Sequence, residues 1–325
     1  MARRFLYVMD PLAGVHPDKD TTFDFLLESQ ARGVESFVCE IRELTTRGGR
    51  GFALARHAAV RRPTPDDASH YALGHAEEIA FDDCDVIWMR KDPPVDEAFL
   101  QATLLLDRHD PTRTLMMNEP ASLRVANEKL FALFAPELFP YTVVSSRTDL
   151  LVEEVERLGK AVIKPLTLAG GAGVMVFDKG DRNLRSALDL LTFEGKRPAI
   201  VQEYLPEVRE GDKRVILLGG EPIGAVLRVP SGGDHRANMH VGGSAKKAVV
   251  DDRDREIAAR LKPELLRLGL HFVGLDVIGG KLTEVNVTSP TGVQEIDQLD
   301  GRTGKDKLSA QVMDYVEGLL AERGR

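Results

Sequence analysis

The chain is poor in the residues on which several kinds of chemistry depend. Only two cysteines, Cys39 and Cys84, occur among 325 residues, both in apolar stretches and without CxxC spacing. A pair of buried reduced thiols follows, not a disulfide framework or a thiolate metal site, and a reducing cytoplasm is the matching compartment. The eight histidines are scattered, and neither HExxH nor a Ser-His-Asp or Cys-His arrangement suggests itself. Zinc chemistry and catalysis by a protein nucleophile are therefore not expected. No window approaches 18 apolar residues, so no membrane-spanning helix is expected. The apolar run from Phe5 stops at Met9, with Asp10-Pro11 next, so Ala2 to Leu6 begins a first strand and not an export signal. Positive charge is not in excess either: the net charge is −8 and the pI near 5.6, which argues against nucleic acid or an anionic membrane as the main partner.

What is present is ordinary in bulk, with 43% hydrophobic and 29% charged residues, and the length suits two or three domains. Residues 1 to about 120 alternate strand and helix patterns: strands at Phe5–Met9, Ser36–Ile41, Val86–Met89 and Leu115–Met117, helices at Thr21–Arg32 and Asp96–His109. That is a small α/β unit with a parallel sheet. Thr46 to His70 is rich in Gly, Arg and Pro without clean periodicity and is expected as an insertion or a loose hairpin. A second unit starts near Asn118. It has helices over Asn127–Phe134, Thr148–Leu158 and Asn183–Leu191, and strands at Tyr141–Ser145, Lys160–Lys164, Val174–Phe177 and Ala199–Tyr204. The remainder is β-rich, with helices at Asp254–Leu268 and Lys305–Glu322. Ser231 to Lys247, with its glycines and almost no apolar periodicity, is expected to be a mobile loop.

The most informative stretch runs from Leu282 to Pro290. Glu284 and Asn286 are two apart in a β-prone run and share one face. A carboxylate beside an amide oxygen is half a cage for a hard cation such as Mg²⁺. Upstream, Phe272 to Asp276 and the pair Gly279-Gly280 make a hairpin. A two-residue turn at the glycines would place Asp276 on the opposite face from Glu284. A three-residue turn, Gly279 to Lys281 with a bulge, places the two carboxylates across from each other, and this register is expected because a lone buried carboxylate is costly.

Further groups converge in type. Lys164-Pro165 ends a strand and leads into Gly170-Gly171-Ala172-Gly173, where backbone N–H groups can approach phosphate oxygens without a Cβ in the way. This is neither a Walker loop nor the dinucleotide GxGxxG. Asn127-Glu128-Lys129 offers a second lysine, or simply a surface one. Gln202-Glu203-Tyr204-Leu205-Pro206 is a strand exit that could present its backbone to a flat ligand edge or merely link two subdomains. Asp212 and Arg214 share a strand face, and Arg228 and Arg236 lie further on. Several cations around a metal suit a polyphosphate and a carboxylate substrate, although a solvated basic face has the same composition.

Taken in order, Val8-Met9-Asp10-Pro11, Met89-Arg90-Lys91-Asp92-Pro93-Pro94, Asn127-Glu128-Lys129-Leu130-Phe131, Lys164-Pro165-Leu166, Gly211-Asp212-Lys213-Arg214, Val273-Gly274-Leu275-Asp276 and Glu284 to Thr291 resemble the bacterial glutathione synthetases of the ATP-grasp superfamily over nearly the whole chain. The Arg90–Pro94 and Asn286–Pro290 runs are the specific parts. The resemblance implies a Rossmann-like, small parallel-sheet domain (1–120), then an ATP-grasp fold of two α+β subdomains clasping the nucleotide, a lid (121–205) and a metal-bearing C-terminal part (206–325).

It also implies an ATP-dependent ligase that joins γ-glutamylcysteine and glycine through an acyl phosphate, and a homo-oligomer, a tetramer in that family. Lys129, Lys164, Gly170 and Gly171 would hold the ATP phosphates, Gln202, Glu203, Tyr204 and Leu205 the adenine, Asp212 the ribose, and Arg214 would also touch the nucleotide. Asp276, Glu284 and Asn286 would hold two Mg²⁺ ions, or Mn²⁺. Arg90, Arg228, Arg236, Asn286, Ser289 and Thr291 would meet the peptide substrate, with Arg214, Lys164 and Arg228 as the catalytic cations. The loop Ser231 to Lys247 would close over the site. One departure stands out: where the family carries an acid or amide followed by glycine after Lys-Pro-Leu, this chain has Thr167-Leu168. Leucine does not adopt positive φ cheaply, so a different loop path is expected there.

Overall fold

Parallel pairing needs crossovers, and the first third of the chain supplies them. In the computed structural model, which describes residues 2–230 and 244–324, β1 (Arg4–Val8), α1 (Thr21–Ala31), β2 (Glu35–Cys39), β3 (Leu44–Arg47), β4 (Arg50–Val60), β5 (Tyr71–Ala80), β6 (Val86–Met89), α2 (Glu97–Leu106), β7 (Leu115–Met117) and α3 (Pro120–Val125) follow one another. They form a sheet of order β3-β4-β2-β1-β6-β7, with β5 paired to β4. β1 is parallel to both β2 and β6, so the chain winds away from β1 in both directions and leaves a crevice at the strands' carboxyl ends, where Asp10 and Arg90 emerge. Of the segment 46–70, expected as an insertion or a loose hairpin, residues 50–60 are β4, one arm of a long hairpin with β5, and residues 61–70 are its exposed connection. The inward face of β4 is carried by small residues, Ala53, Ala55, Ala58 and Val60, which hides the alternation from a hydrophobicity count.

A four-stranded antiparallel sheet comes next, built from β8 (Thr142–Ser145), α4 (Thr148–Leu158), β9 (Lys160–Pro165), β10 (Met175–Asp178), α5 (Leu184–Thr192) and β11 (Ala199–Glu203), in the order β10-β9-β11-β8. It has a core of its own: Leu151, Val155, Leu184 and Leu188 from the helices pack on Ala161, Ile163 and Val201. Before it, Asn127–Phe134 is not the expected helix. Asn127 Oδ1 accepts from the Lys129 N–H, an Asx turn that competes with helical bonding, and only a short 3₁₀ turn follows at Phe131–Phe134.

The last part holds β12 (Asp212–Leu218), β13 (Glu221–Val229), β14 (Ser244–Lys247), α6 (Asp252–Arg267), β15 (Phe272–Ile278), β16 (Lys281–Asn286), α7 (Val293–Asp300) and α8 (Leu308–Glu322). Its five strands run β14-β13-β12-β15-β16. Asp251 and Asp254 form a capping box that starts α6. Ser244–Lys247, expected as part of a mobile loop, pairs with β13 as an edge strand; the rest of that expected loop, with Arg236, lies outside the described residues. Leu217, Val273 and Leu275 share one cluster with Leu6, Ile87 and Met116, so the first and third sheets are welded through a common core. No described helix is long and apolar enough to cross a membrane, and Cys39 and Cys84 are free and buried.

Candidate active site

The cleft between the four- and five-stranded sheets gathers most of the residues singled out above. Its floor is a polar row on one face of β12, β13, β15 and β16. The register pairs Asp212 with Arg228, Arg214 with Asp276, and Asp276 with Glu284. The expected juxtaposition of Asp276 and Glu284 is therefore present, but the turn that produces it differs. Ile278 pairs with Lys281 across a two-residue Gly279-Gly280 turn, and the register shift falls between Asp276 and Val277, with Thr283 as the extra residue. The bulge sits inside the ladder, not in the loop. The Thr283 hydroxyl donates to the Asp276 carbonyl at 3.1 Å and pins it there.

These charges form a paired network in which only Arg228 Nε and Asp212 Oδ1 find no partner among the described residues. Arg214 donates to both carboxylate oxygens of Asp276, at 2.5 and 3.0 Å, the bidentate geometry a guanidinium favours. Arg228 reaches Asp276 Oδ2 at 2.9 Å and Asp212 at 2.5 Å. Asp276, Arg214 and Arg228 are all buried. Burial alone would raise the Asp276 carboxyl, but the two guanidiniums hold it well below the usual carboxylate range. Asp212 goes the other way: burial pushes it up to about 6, with Arg228 opposing and the Asp276 charge adding to the rise. The Asn286 amide donates to the Gly274 carbonyl at 3.2 Å, which leaves its oxygen free. Two carboxylates and an amide oxygen on one face suit a hard cation that completes its shell with water or phosphate. Among the described residues no group of three or more His, Cys, Asp and Glu has metal-binding geometry, and both Asp276 oxygens are engaged by Arg214 and Arg228.

The roof carries Lys164 and the glycine loop. The Lys164 ammonium makes no hydrogen bond or ion pair among the described residues; burial lowers it below the ordinary lysine value, Lys129 adds to this, and Glu284, Asp212 and Asp276 oppose it. Positive φ falls on Gly170, Gly171 and Gly173, not on Leu168, so the loop turns without straining the leucine. Lys129 anchors it: Nζ donates to the Leu168 carbonyl at 2.7 Å and lies 3.7 Å from Glu284. Glu128, to which no role was given from sequence, accepts from the Thr288 hydroxyl at 2.9 Å and from the Val287 N–H at 3.1 Å, tying the Lys129 turn to the loop after β16.

Two cavities of about 420 Å³ each meet at Arg228, Asp276 and Glu284. The first is a slot with apolar walls, Val162, Val174, Val176, Leu205 and Ile278, and with Lys164, Asp212 and Asp276 toward its charged end. Gln202, Glu203 and Tyr204 line it too. The Gln202 amide donates to Thr142 and the Glu203 N–H to the Tyr141 carbonyl, whereas Tyr204 makes no backbone hydrogen bond among the described residues. Its N–H and C=O can meet a flat ligand edge. The second cavity passes Gly170, Arg214 and Asn286 to reach Ser289 and Thr291. Arg90 is buried beneath its far end and donates to the Pro290 carbonyl at 3.0 Å. An apolar slot that ends in mixed charges, with a second polar chamber beyond, has the chemistry to take a flat apolar group at one end and anionic groups at the other.

Two family models match adjoining parts of the chain: the N-terminal domain of prokaryotic glutathione synthetase over residues 4–124 and the ATP-grasp domain of prokaryotic glutathione synthetase over residues 128–301. Among curated relatives, the glutathione synthetase of Thermosynechococcus vestitus is 44% identical over 316 residues, covering 95% of this chain and 98% of its own. That of Yersinia pestis is 40% identical over 317 residues, 97% of this chain and 98% of its own. The solved structures of the D-cycloserine synthetase DcsG and of the ATP-grasp ligase PsnB, the latter complexed with Mg and ADP, match with TM-scores of 0.64 and 0.60 at 15% and 14% identity. The first covers 98% of this chain and 99% of its own, the second 100% and 99%. At such identities the likeness is one of fold.

Proposed function

Because the chain belongs to the prokaryotic glutathione synthetases, with both domains of that family matched in order, we infer that it is an ATP-dependent ligase joining γ-glutamylcysteine to glycine. The observation that carries this reading is the junction of the two cavities. There Arg214, Arg228, Asp276 and Glu284 stand between a nucleotide-shaped slot and a polar chamber.

The residues divide the work as follows. The apolar slot and the Tyr204–Leu205 backbone receive the adenine, and Asp212 the ribose. Lys129, Lys164 and the Gly170-Gly171 backbone bind the phosphates. Mg²⁺, two ions in this reading and replaceable by Mn²⁺, would be held by Asp276, Glu284 and Asn286 and would neutralise charge on the phosphates. Arg228, Arg90, Ser289 and Thr291 orient the dipeptide so that its cysteinyl carboxylate faces the γ-phosphorus. Carboxylate attack there yields an acyl phosphate and ADP, and the glycine amine then displaces phosphate from the acyl carbon. Arg214 and Lys164 offset the charge that develops during both transfers, which need positioning and electrostatic stabilisation more than a protein nucleophile. Residues 121–205 serve as the lid over 206–325, and 1–120 as the substrate-facing domain. A homo-oligomer, a tetramer by family resemblance, and a cytoplasmic location complete the reading.

The test is ADP release with γ-glutamylcysteine and glycine together, against each alone. Turnover that needs both and yields glutathione is the expected result. Turnover with an unrelated amine but not with glycine would move the chain to another carboxylate–amine ligation.

A further inference from the structure

The ligase reading leaves one substrate without a receiving group. The amine partner is an amino acid, and at neutral pH it arrives as an ammonium. With nucleotide in the slot, its nitrogen reaches the acyl carbon from the second cavity, which Arg214 and Arg228 line. A cation in that space needs an acceptor whose charge is not already matched. Four carboxylates line the chamber: Asp92, Glu128, Asp276 and Glu284. Asp276 has both oxygens engaged by Arg214 and Arg228. Glu284 stands at the junction with the slot, 3.7 Å from Lys129, and is a metal donor in the reading above. Asp92 is exposed, so its charge is already screened by water.

Glu128 differs from all three. Its Oε1 accepts from the Val287 N–H at 3.1 Å, the Thr288 N–H at 3.3 Å and the Thr288 hydroxyl at 2.9 Å, whereas Oε2 accepts nothing among the described residues. Oε2 is not sealed in protein: the side chain lines the chamber, and this is the oxygen left to face it. No described lysine or arginine pairs with it; the adjacent Lys129 is turned to the Leu168 carbonyl and toward Glu284. The Glu128 carbonyl accepts from the Val285 N–H at 2.8 Å, so backbone and side chain are both fixed to the end of β16. A carboxylate held by one oxygen and open on the other is a preorganised acceptor.

We propose that Glu128 receives the ammonium of the incoming amino acid through Oε2 and is the residue that makes the chamber select an amine. The assignment rests on the ligase reading above and deepens it, since it gives the second substrate a wall of the chamber, the Asn127–Lys129 turn. The acyl carbon then lies toward Arg214 and Arg228. The grip of Oε1 on Thr288 also ties the amine's position to the loop whose Ser289 and Thr291 meet the dipeptide in the same reading.

The experiment measures KM for glycine, γ-glutamylcysteine and ATP from ADP release by the full-length wild type and by Glu128→Gln, whose amide oxygen can keep the bonds to Val287 and Thr288. Hydroxylamine in place of glycine gives a second readout: it is uncharged at neutral pH, traps an acyl phosphate as the hydroxamate, and needs no anionic acceptor. Glu128→Gln should raise the KM for glycine about 10- to 100-fold, the effect of losing a charged hydrogen bond. It should keep the other two KM values within about two-fold and form hydroxamate at close to the wild-type rate. Glu128→Asp keeps the charge but draws it back by one methylene; it should raise the glycine KM by a smaller factor and serves if the glutamine variant does not fold. An unchanged glycine KM in a folded Glu128→Gln, or in Glu128→Asp where only that variant folds, overturns the assignment alone. So does a loss shared by all three substrates and by hydroxamate formation, the mark of a structural carboxylate. A raised Mg²⁺ requirement at unchanged glycine KM, the mark of a metal donor, overturns it too. A wild type that releases no ADP with γ-glutamylcysteine and glycine overturns the ligase reading and the assignment with it.

Discussion

The floor and the roof of the cleft treat charge in opposite ways. On the floor every guanidinium has a carboxylate: Arg214 and Arg228 share Asp276, and Arg228 also holds Asp212. On the roof, Lys164 has no counter-ion in contact and Lys129 is held by a backbone carbonyl, with Glu284 at 3.7 Å. The guanidiniums of the floor are paired without ligand, as a preorganised electrostatic site requires if it is not to rearrange during reaction, while Arg228 Nε and Asp212 Oδ1 find no partner among the described residues. The roof is incomplete and gains its partner only when an anion enters. The packing runs parallel to this. The floor shares a core with the first sheet, whereas the roof's sheet has its own, so it can tilt without breaking the main core.

The sharpest way to break this comparison is to open the floor. Asp276→Ala leaves two buried guanidiniums without their shared partner and should lower stability by about 3–5 kcal/mol, read by thermal or denaturant unfolding, besides abolishing turnover. Lys164→Met removes an unpaired cation instead and should leave the unfolding midpoint unchanged or raised. Equal losses from the two would show that the floor is not a structural network. Glu284 marks the boundary between the regimes. Its side chain is 25% exposed and has only the 3.7 Å contact to Lys129, so Glu284→Ala should unfold within about 0.5 kcal/mol of the wild type yet release no ADP at any Mg²⁺ concentration. Full retained activity would remove Glu284 from the metal site.

Much of the floor was legible in sequence because strands obey a period of two. Asp212 with Arg214 and Glu284 with Asn286 announce shared faces, and the Asp276–Glu284 pairing follows once a bulge is allowed. The bulge's location was not legible, since Thr283 can be extruded only in the context of the Asp276 carbonyl it bonds. The Lys129 turn was misread as a helix because an Asx turn and a helix start share the same residue types. The β4–β5 hairpin was obscured by alanines on its buried face. Glu295 and the rest of α7 were missed: the helix is short, and the residues that line the cavity at the carboxyl ends of β1 and β6 come from four distant stretches, around Asp20, Arg90, Arg228 and Glu295, which no local pattern connects.

On the roof, smaller effects are expected. Lys164→Ala should raise the KM for ATP roughly 10- to 100-fold, the value of a charged hydrogen bond of about 1.5–3 kcal/mol. The lysine also titrates in a definite direction. Burial lowers its folded value below that of the unfolded chain, so between the two values the unfolded state binds the extra proton and this group makes stability rise with pH. ATP affinity does the reverse, falling as pH climbs through the lowered value and the ammonium discharges. The alkaline limb of kcat/KM for ATP should therefore begin below the usual lysine range and move up in Lys164→Arg. An unmoved limb would assign it to another group.

The smallest effect should come from Leu168, the family departure in the loop. The residue is 42% exposed, its φ is not positive, and what Lys129 holds is its backbone carbonyl. The side chain therefore takes no part in the anchoring contact, and the left-handed turns are carried by the glycines that follow. Leu168→Gly, which brings back the family's glycine, should keep stability within about 0.5 kcal/mol and change the KM for ATP by less than roughly two-fold. Its added backbone freedom is the one term that could act on loop closure, and it works against ordering. A tenfold gain in turnover in this variant would mean that the leucine, and not the unpaired lysine behind it, sets how readily the roof comes down.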